Sequence, residues 1–221
     1  MSDLVFASYP VYKAVPDRIA GLDRDLAAKE VTELLDEFSD QIETRGLYST
    51  TGFTAQADLM AWWVARSAAD VQDLTVAFGR TRLGSALTQT EAFLGLVRPA
   101  EFSPDHLPSF VAGKQPKSYL CVYPFVRTPD WYLLDPEERA KLLREHGEAA
   151  RAFSDVQANT TSAFGLGDFE WILAFEADSP DRIVDLIRAL RATEARRYTK
   201  VEVPFLTGIR KDVGEIVAGL V

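Results

Sequence analysis

Long apolar runs, histidine and cysteine are what this 221-residue chain has least of. No apolar stretch approaches the ~18 residues needed to cross a bilayer, so no membrane span is expected. One cysteine, Cys121, excludes an intrachain disulfide and any multi-cysteine metal site. With two histidines, His106 and His146, a zinc site would have to be completed by carboxylates. Positive charge is also short: 24 Lys and Arg against 33 Asp and Glu, a net charge of −9. General nucleic-acid binding wants a positive field over a whole face, so that class is disfavoured. A few arginines in a pocket can still reverse the sign locally and receive an anionic small molecule. Phosphate-binding loops, Gly-x-Ser-x-Gly and HExxH are all missing, and Gly165-Leu166-Gly167 lacks the third glycine of a dinucleotide fingerprint. The opening MSDLVFASYP has no basic region followed by an apolar run. No signal peptide is therefore expected, and the cytoplasm is the expected location.

What is present is 47% hydrophobic and 26% charged, the make-up of a globular protein with a core to bury. Residues 4–14 read as a strand. From Asp23 a helix follows, with Leu26, Val31, Leu34, Leu35, Phe38 and Ile42 at helical spacing. Strands are expected at 47–53 and 59–65, a helix at 69–79 opened by Ser67, and a strand at 88–97. Residues 99–116 hold four prolines and His106 and read as a linker. The order then repeats: strand 117–127, helix 136–152, strands 156–164 and 169–177, helix 180–191, strand 200–208. Thr50-Thr51-Gly52-Phe53 before Asp58 is echoed by Thr161-Ser162-Ala163-Phe164 before Asp168. Two β-α-β-β-α-β units make an α+β protein of two fused ferredoxin-like modules, 1–98 and 117–221. Each sheet has helices on one face only, so the two sheets are expected to pack as a barrel-like pair. Of the adjacent Trp62 and Trp63, alternation sends one to the core and the other to a module or subunit interface.

Chemistry concentrates in and after the linker. Alternation puts Tyr119, Cys121, Tyr123, Phe125 and Arg127 on one strand face, with Tyr123 and Arg127 ~13 Å apart. That spacing suits a large planar ligand carrying a charged group; taken by itself, the pair fits a sheet tyrosine beside a surface arginine better. Asp135-Pro136-Glu137-Glu138 starts a helix, with Asp as cap and Pro at the first position. On it Leu142, Leu143, Ala149 and Ala150 share the face of His146, which therefore points inward as either a core histidine or a ligand. His106, in a proline-flanked loop, is either solvated or an acid–base group beside a pocket.

Tyr123-Pro124-Phe125-Val126-Arg127, Trp131-Tyr132-Leu133-Leu134, Glu137-Glu138-Arg139, His146-Gly147, Asp168-Phe169-Glu170-Trp171 and Glu194-Ala195-Arg196 together resemble the chlorite dismutase superfamily, in its coproheme decarboxylase branch. The resemblance runs from about residue 5 to 212. It implies an oxidoreductase that uses H2O2 to decarboxylate two propionates of iron-coproporphyrin III (coproheme), giving haem b. By the same resemblance His146 is the proximal iron ligand, and Tyr123 the redox tyrosine beside a propionate. Arg127 and Arg196 become propionate contacts, Trp131 a pocket wall, and His106 the distal group that deprotonates peroxide. A homo-oligomer, typically a pentamer, and coproporphyrin ferrochelatase as partner are implied as well. The chain departs from the pattern where chlorite dismutases place a distal arginine. It reads Val156-Gln157-Ala158-Asn159 there, and no arginine occurs between Ala152 and Asp181. Chlorite chemistry is disfavoured on that ground, which shifts weight to His106. A haem peroxidase of the same fold and a non-enzymatic haem carrier or sensor are the rival readings.

Overall fold

A computed structural model describes residues 4–99, 101 and 107–221. His106 lies outside the described residues. The chain divides into two compact units, Met1–Val97 with Leu206–Val221, and Arg98–Phe205.

Unit 1 begins with strand β1 (Phe6–Ala14), a short helix α1 (Pro16–Ala20) and helix α2 (Arg24–Glu37). Strands β2 (Ile42–Ser49) and β3 (Leu59–Ala65) follow, then α3 (Ala68–Arg80), the one-turn α4 (Arg82–Ser85) and β4 (Leu87–Leu96). The caps are where the sequence places them. Asp23 accepts from Leu26 N–H, and Ser67 accepts from Ala69 N–H at 3.1 Å, each satisfying a donor that the first helical turn leaves open. The strands form an antiparallel sheet, in which β1 lies between β3 and β4, and β2 lies beside β3. Every second residue of β3, Leu59, Ala61, Trp63 and Ala65, enters the core under the helices with Val31, Leu74 and Phe78. Trp62 points the other way, 5.1 Å from Tyr9, and the Arg45 guanidinium lies over its ring. Both tryptophans are fully buried. Leu26, counted above in the apolar stripe of α2, is instead 47% exposed.

Unit 2 contains β5 (Tyr119–Arg127), α5 (Pro129–Leu133), α6 (Pro136–Ala150), β6 (Gln157–Ser162), β7 (Trp171–Ala177), α7 (Pro180–Arg191) and β8 (Thr199–Val201). Its antiparallel sheet runs β6-β7-β5-β8, the ferredoxin-like arrangement. Cys121, Tyr123, Phe175 and Ala177 face α7 through Ile183 and Leu186. Asp135 caps α6 by accepting from Glu137 N–H at 2.8 Å. Residues 109–117, the described end of the linker, are tied to this sheet. Ser109 N–H donates to Ala158 O (3.2 Å), Phe110 N–H to Asn159 Oδ1 (2.9 Å), and Gln157 Nε2 to Gln115 O (3.0 Å).

The expected last strand, 200–208, is two strands. After β8 the chain passes Pro204, which has no N–H to give to a ladder. Strand β9 (Leu206–Lys211) then pairs with β2 of unit 1, and α8 (Val213–Ala218) follows. Gly208 is required there: a Cβ would lie 2.9 Å from Tyr48 Cβ and 3.0 Å from Ser49 O. Asp212 and Glu215 close a capping box at the start of α8, and Ile216, Val217 and Leu220 join the unit 1 core. Residues 206–221 thus group with unit 1, where the sequence reading assigned everything from 117 onward to the second module.

Candidate functional site

A cavity of about 350 Å³ lies within unit 2. That volume is in the range of small-molecule sites, about 300–1,000 Å³. Its walls are apolar: Phe125, Trp171 and Leu173 from the sheet, Leu143 from α6, Ile187 and Leu190 from α7. Tyr123, Arg127, Trp131, His146 and Arg196, five of the six residues singled out from sequence, all line it. The sixth, His106, falls outside the described residues.

Burial sets the electrostatics. The Arg127 guanidinium lies 4.0 Å from the Trp131 ring centroid and 4.7 Å from that of Phe125, and Nη1 donates to Ala195 O at 2.9 Å. Among the described residues no carboxylate forms an ion pair with it, and burial pulls its pKa down to about 10. Glu170 stands nearby but accepts from the Arg127 backbone N–H (2.8 Å) and the Tyr132 hydroxyl (2.6 Å). A half-buried cation with no ion pair among the described residues, on the wall of a cavity, is able to receive an anion.

His146 comes from the inner face of α6. Burial, followed by the positive charge of Arg127, pushes its pKa down to about 4, so the imidazole is neutral near pH 7. Nδ1 lies 3.4 Å from Thr193 Oγ1. Among the described residues Nε2 has no hydrogen-bond partner. Tyr123 stacks on Phe205, with centroids 4.3 Å apart and planes at 27°. Burial raises its phenol well above the usual range; Cys121 and Glu202 add to the rise, and Arg191 and Arg196 oppose it.

Arg196, read as an anion contact, lines the cavity but is held by Glu202, which also accepts from Arg191 Nη2 at 2.9 Å. This Arg–Glu–Arg group was not anticipated, nor was Thr193. No local pattern links residue 191 to 202, or 146 to 193; the local signal in the sequence is the cluster of Arg188, Arg191, Arg196 and Arg197. Trp131 sits on α5, which the sequence reading treated as a connection. On β6 the side chains alternate: Thr160 lines the cavity, whereas Gln157 and Asn159 bond the linker. The strand therefore offers neither arginine nor glutamine to the pocket.

A helix histidine, a half-buried arginine with no ion pair among the described residues and a secluded tyrosine line one apolar cavity of a ferredoxin-like α+β protein. The chlorite dismutase family profile matches residues 24–211. A protein named coproheme decarboxylase from Mycolicibacterium smegmatis is 46% identical, over 99% of this chain and 95% of that protein. A second of that name, from Staphylococcus carnosus, is 24% identical over 84% and 80%. The solved structure of chlorite dismutase from Candidatus Nitrospira defluvii in complex with imidazole aligns with a TM-score of 0.87 at 27% identity, covering 97% of this chain and 94% of that one. The chain belongs to the chlorite dismutase family.

Proposed function

We propose that the protein is a peroxide-dependent coproheme decarboxylase. Its substrate would be iron-coproporphyrin III, whose propionates at two positions become vinyl groups, giving haem b. Each step balances as propionate + H2O2 + H+ → vinyl + CO2 + 2 H2O. The carbon chain loses two electrons, and peroxide gains them. When bound, the iron porphyrin supplies the redox centre that peroxide oxidises; it is substrate and cofactor together. The observation that carries the reading is the convergence of His146, Tyr123, Arg127 and Trp131 on one cavity. The 46% identity to a coproheme decarboxylase over nearly the whole chain supports it.

In this reading neutral His146 holds the iron through Nε2. Arg127, with Trp131 and Phe125 behind it, takes a propionate carboxylate as the counter-ion it otherwise lacks. Arg191 and Arg196, already fixed by Glu202, offer positive charge to a second carboxylate at little further ordering cost. Tyr123 is oxidised and in turn oxidises the reacting propionate. A phenol this well buried does not ionise beforehand, so its proton leaves with the electron. His106 removes a proton from peroxide. Homo-oligomeric assembly, a cytoplasmic location and supply by a coproporphyrin ferrochelatase belong to the same proposal. No helix among the described residues is long and apolar enough to cross a membrane.

The test is to add iron-coproporphyrin III and peroxide and follow the pigment by mass. Two successive losses of CO2 are expected, and Tyr123→Phe should bind the pigment normally yet leave it unconverted. A peroxidase would instead oxidise an added reductant with all four propionates intact. A carrier would bind the pigment and leave it unchanged. Either result, or a Tyr123→Phe variant that makes haem b at the parental rate, overturns the proposal.

A further inference from the structure

The hydrogen bonds around His146 bear on which of its nitrogens carries the proton. Thr193 Oγ1 lies 2.8 Å from Leu190 O. A carbonyl oxygen only accepts, so the single hydroxyl proton of Thr193 must sit in that contact. The hydroxyl then has only lone pairs to offer the ring atom on its other side, His146 Nδ1 at 3.4 Å. Thr193 is 7% exposed and follows the C-terminus of α7, and its backbone N–H donates to the same Leu190 carbonyl at 3.3 Å, which holds the residue against the last helical turn. Its hydroxyl is thus pinned from below by the helix end.

We propose that Thr193 is a positioning residue that fixes His146 as the Nδ1–H tautomer and so presents the Nε2 lone pair to the cavity. The inference rests on the reading of His146 as the iron ligand for its consequence, but not for its geometry. Two features follow. The ring is oriented before the ligand arrives, because rotating it would break the Nδ1–H bond. The acceptor is a neutral hydroxyl and not a carboxylate, so the imidazole stays a neutral ligand with modest electron donation to a bound metal. The partner lies 47 residues away, on the turn after α7, so α6 and α7 must be docked for the tautomer to be set.

The experiment reads the tautomer without any ligand. In the full chain labelled with 15N, long-range 1H–15N correlation distinguishes protonated from unprotonated ring nitrogens, and a His106→Gln variant assigns the two histidines. Near pH 7 the parent and Thr193→Ser should show His146 protonated at Nδ1 and bare at Nε2. Thr193→Val, of similar shape but without the hydroxyl, should shift the ring toward the Nε2–H form. An Nε2–H tautomer in the parent, or an unchanged Nδ1–H form in Thr193→Val, overturns the proposal. If the Val variant does not fold, the parent and Ser spectra still decide.

A second readout concerns the metal. Iron porphyrin affinity should fall by about 10–100-fold in Thr193→Val and recover in Thr193→Ser, while iron-free porphyrin binds all three alike. Equal loss for both pigments would mean a damaged pocket, and would count against a role through His146. Failure of the parent to bind iron porphyrin at all would sink the proposed function, whereas the tautomer is judged on the ligand-free spectra.

Discussion

The two units of this chain use one plan to opposite ends. In unit 1 the space between helices and sheet is filled: Trp63 and Tyr12 meet Phe78 with centroids 6.2 and 5.1 Å away, and Leu74 closes the layer with no measurable exposure. In unit 2 the equivalent space is left open. Its Trp-bearing strand β7 contributes Trp171 and Leu173 to a cavity wall, and its first strand contributes Tyr123 and Arg127 to the same cavity. A helix that would carry another apolar residue carries His146. The contrast teaches that the ferredoxin-like topology does not itself make a site; the site is made by what is withheld from the core. Interiors pack at crystal density by default, so a persistent cavity with a half-buried cation on its wall is destabilising and calls for a functional reason.

Trp63→Ala gives the largest break in that comparison. It should cost about 3–5 kcal/mol in chemical denaturation of the ligand-free chain, because a closed core cannot refill the space. A loss below ~1 kcal/mol would show that unit 1 is not the packed member of the pair.

Next in size is a pH effect from His146. Its pKa is lowered from about 6.5 to about 4 by burial, so between those values the unfolded chain binds the extra proton and the folded chain does not. The stabilisation is complete above pH 6.5 and is lost as pH falls toward 4, by up to about 3 kcal/mol. Carboxylates titrate in the same window, so the quantity to measure is parent minus His146→Gln. A flat difference curve would contradict the buried, neutral imidazole.

Arg127→Leu should raise the stability of the ligand-free chain by about 1 kcal/mol, since it removes a half-buried cation that forms no ion pair among the described residues. The gain is modest because the stacking on Trp131 is lost as well. The same variant should bind iron-coproporphyrin less tightly, while a net loss of stability would mean the arginine serves the fold. Leu173→Ala should also have a small effect, a cost of less than about 1.5 kcal/mol, because the side chain already borders the cavity. A cost near that of Trp63→Ala would mean the cavity is closed in solution.

Much of this was legible locally. Asp23, Ser67 and Asp135 announce helix starts because a short polar side chain satisfies a first-turn N–H within three residues, an interaction that needs nothing else from the fold. Helix α7 is found at Pro180–Arg191, where the sequence put it, for a different local reason: Ser179 makes no side-chain cap bond, and Pro180 at the first position suits the fixed φ of a helix start. Illegible were features decided at a distance. Leu26 fits the apolar period of α2 yet is exposed, since periodicity ranks faces without saying how wide a face the neighbours cover. The split of the last strand could not be read either. Val201 and Leu206 both suit a β-strand, and only the pairing of β9 with β2, with Gly208 against Tyr48, sends the second piece to unit 1.

The sequence alone was enough to put Tyr123 and Arg127 on one face and His146 on the inner side of its helix. Those placements follow from the two-residue period of a strand and the 3.6-residue period of a helix, which backbone geometry imposes everywhere. Tertiary structure alone decided that the groups border one cavity, that Arg127 forms no ion pair among the described residues, that Glu202 joins Arg191 to Arg196, and that Thr193 sits against Nδ1 of His146. Each of those is a contact, or a missing contact, between side chains whose separation the chain sets only when it closes on itself. The central stretch from Tyr119 to Ala150 supplies the chemical groups; the turn after α7, nearly fifty residues on, aims one of them.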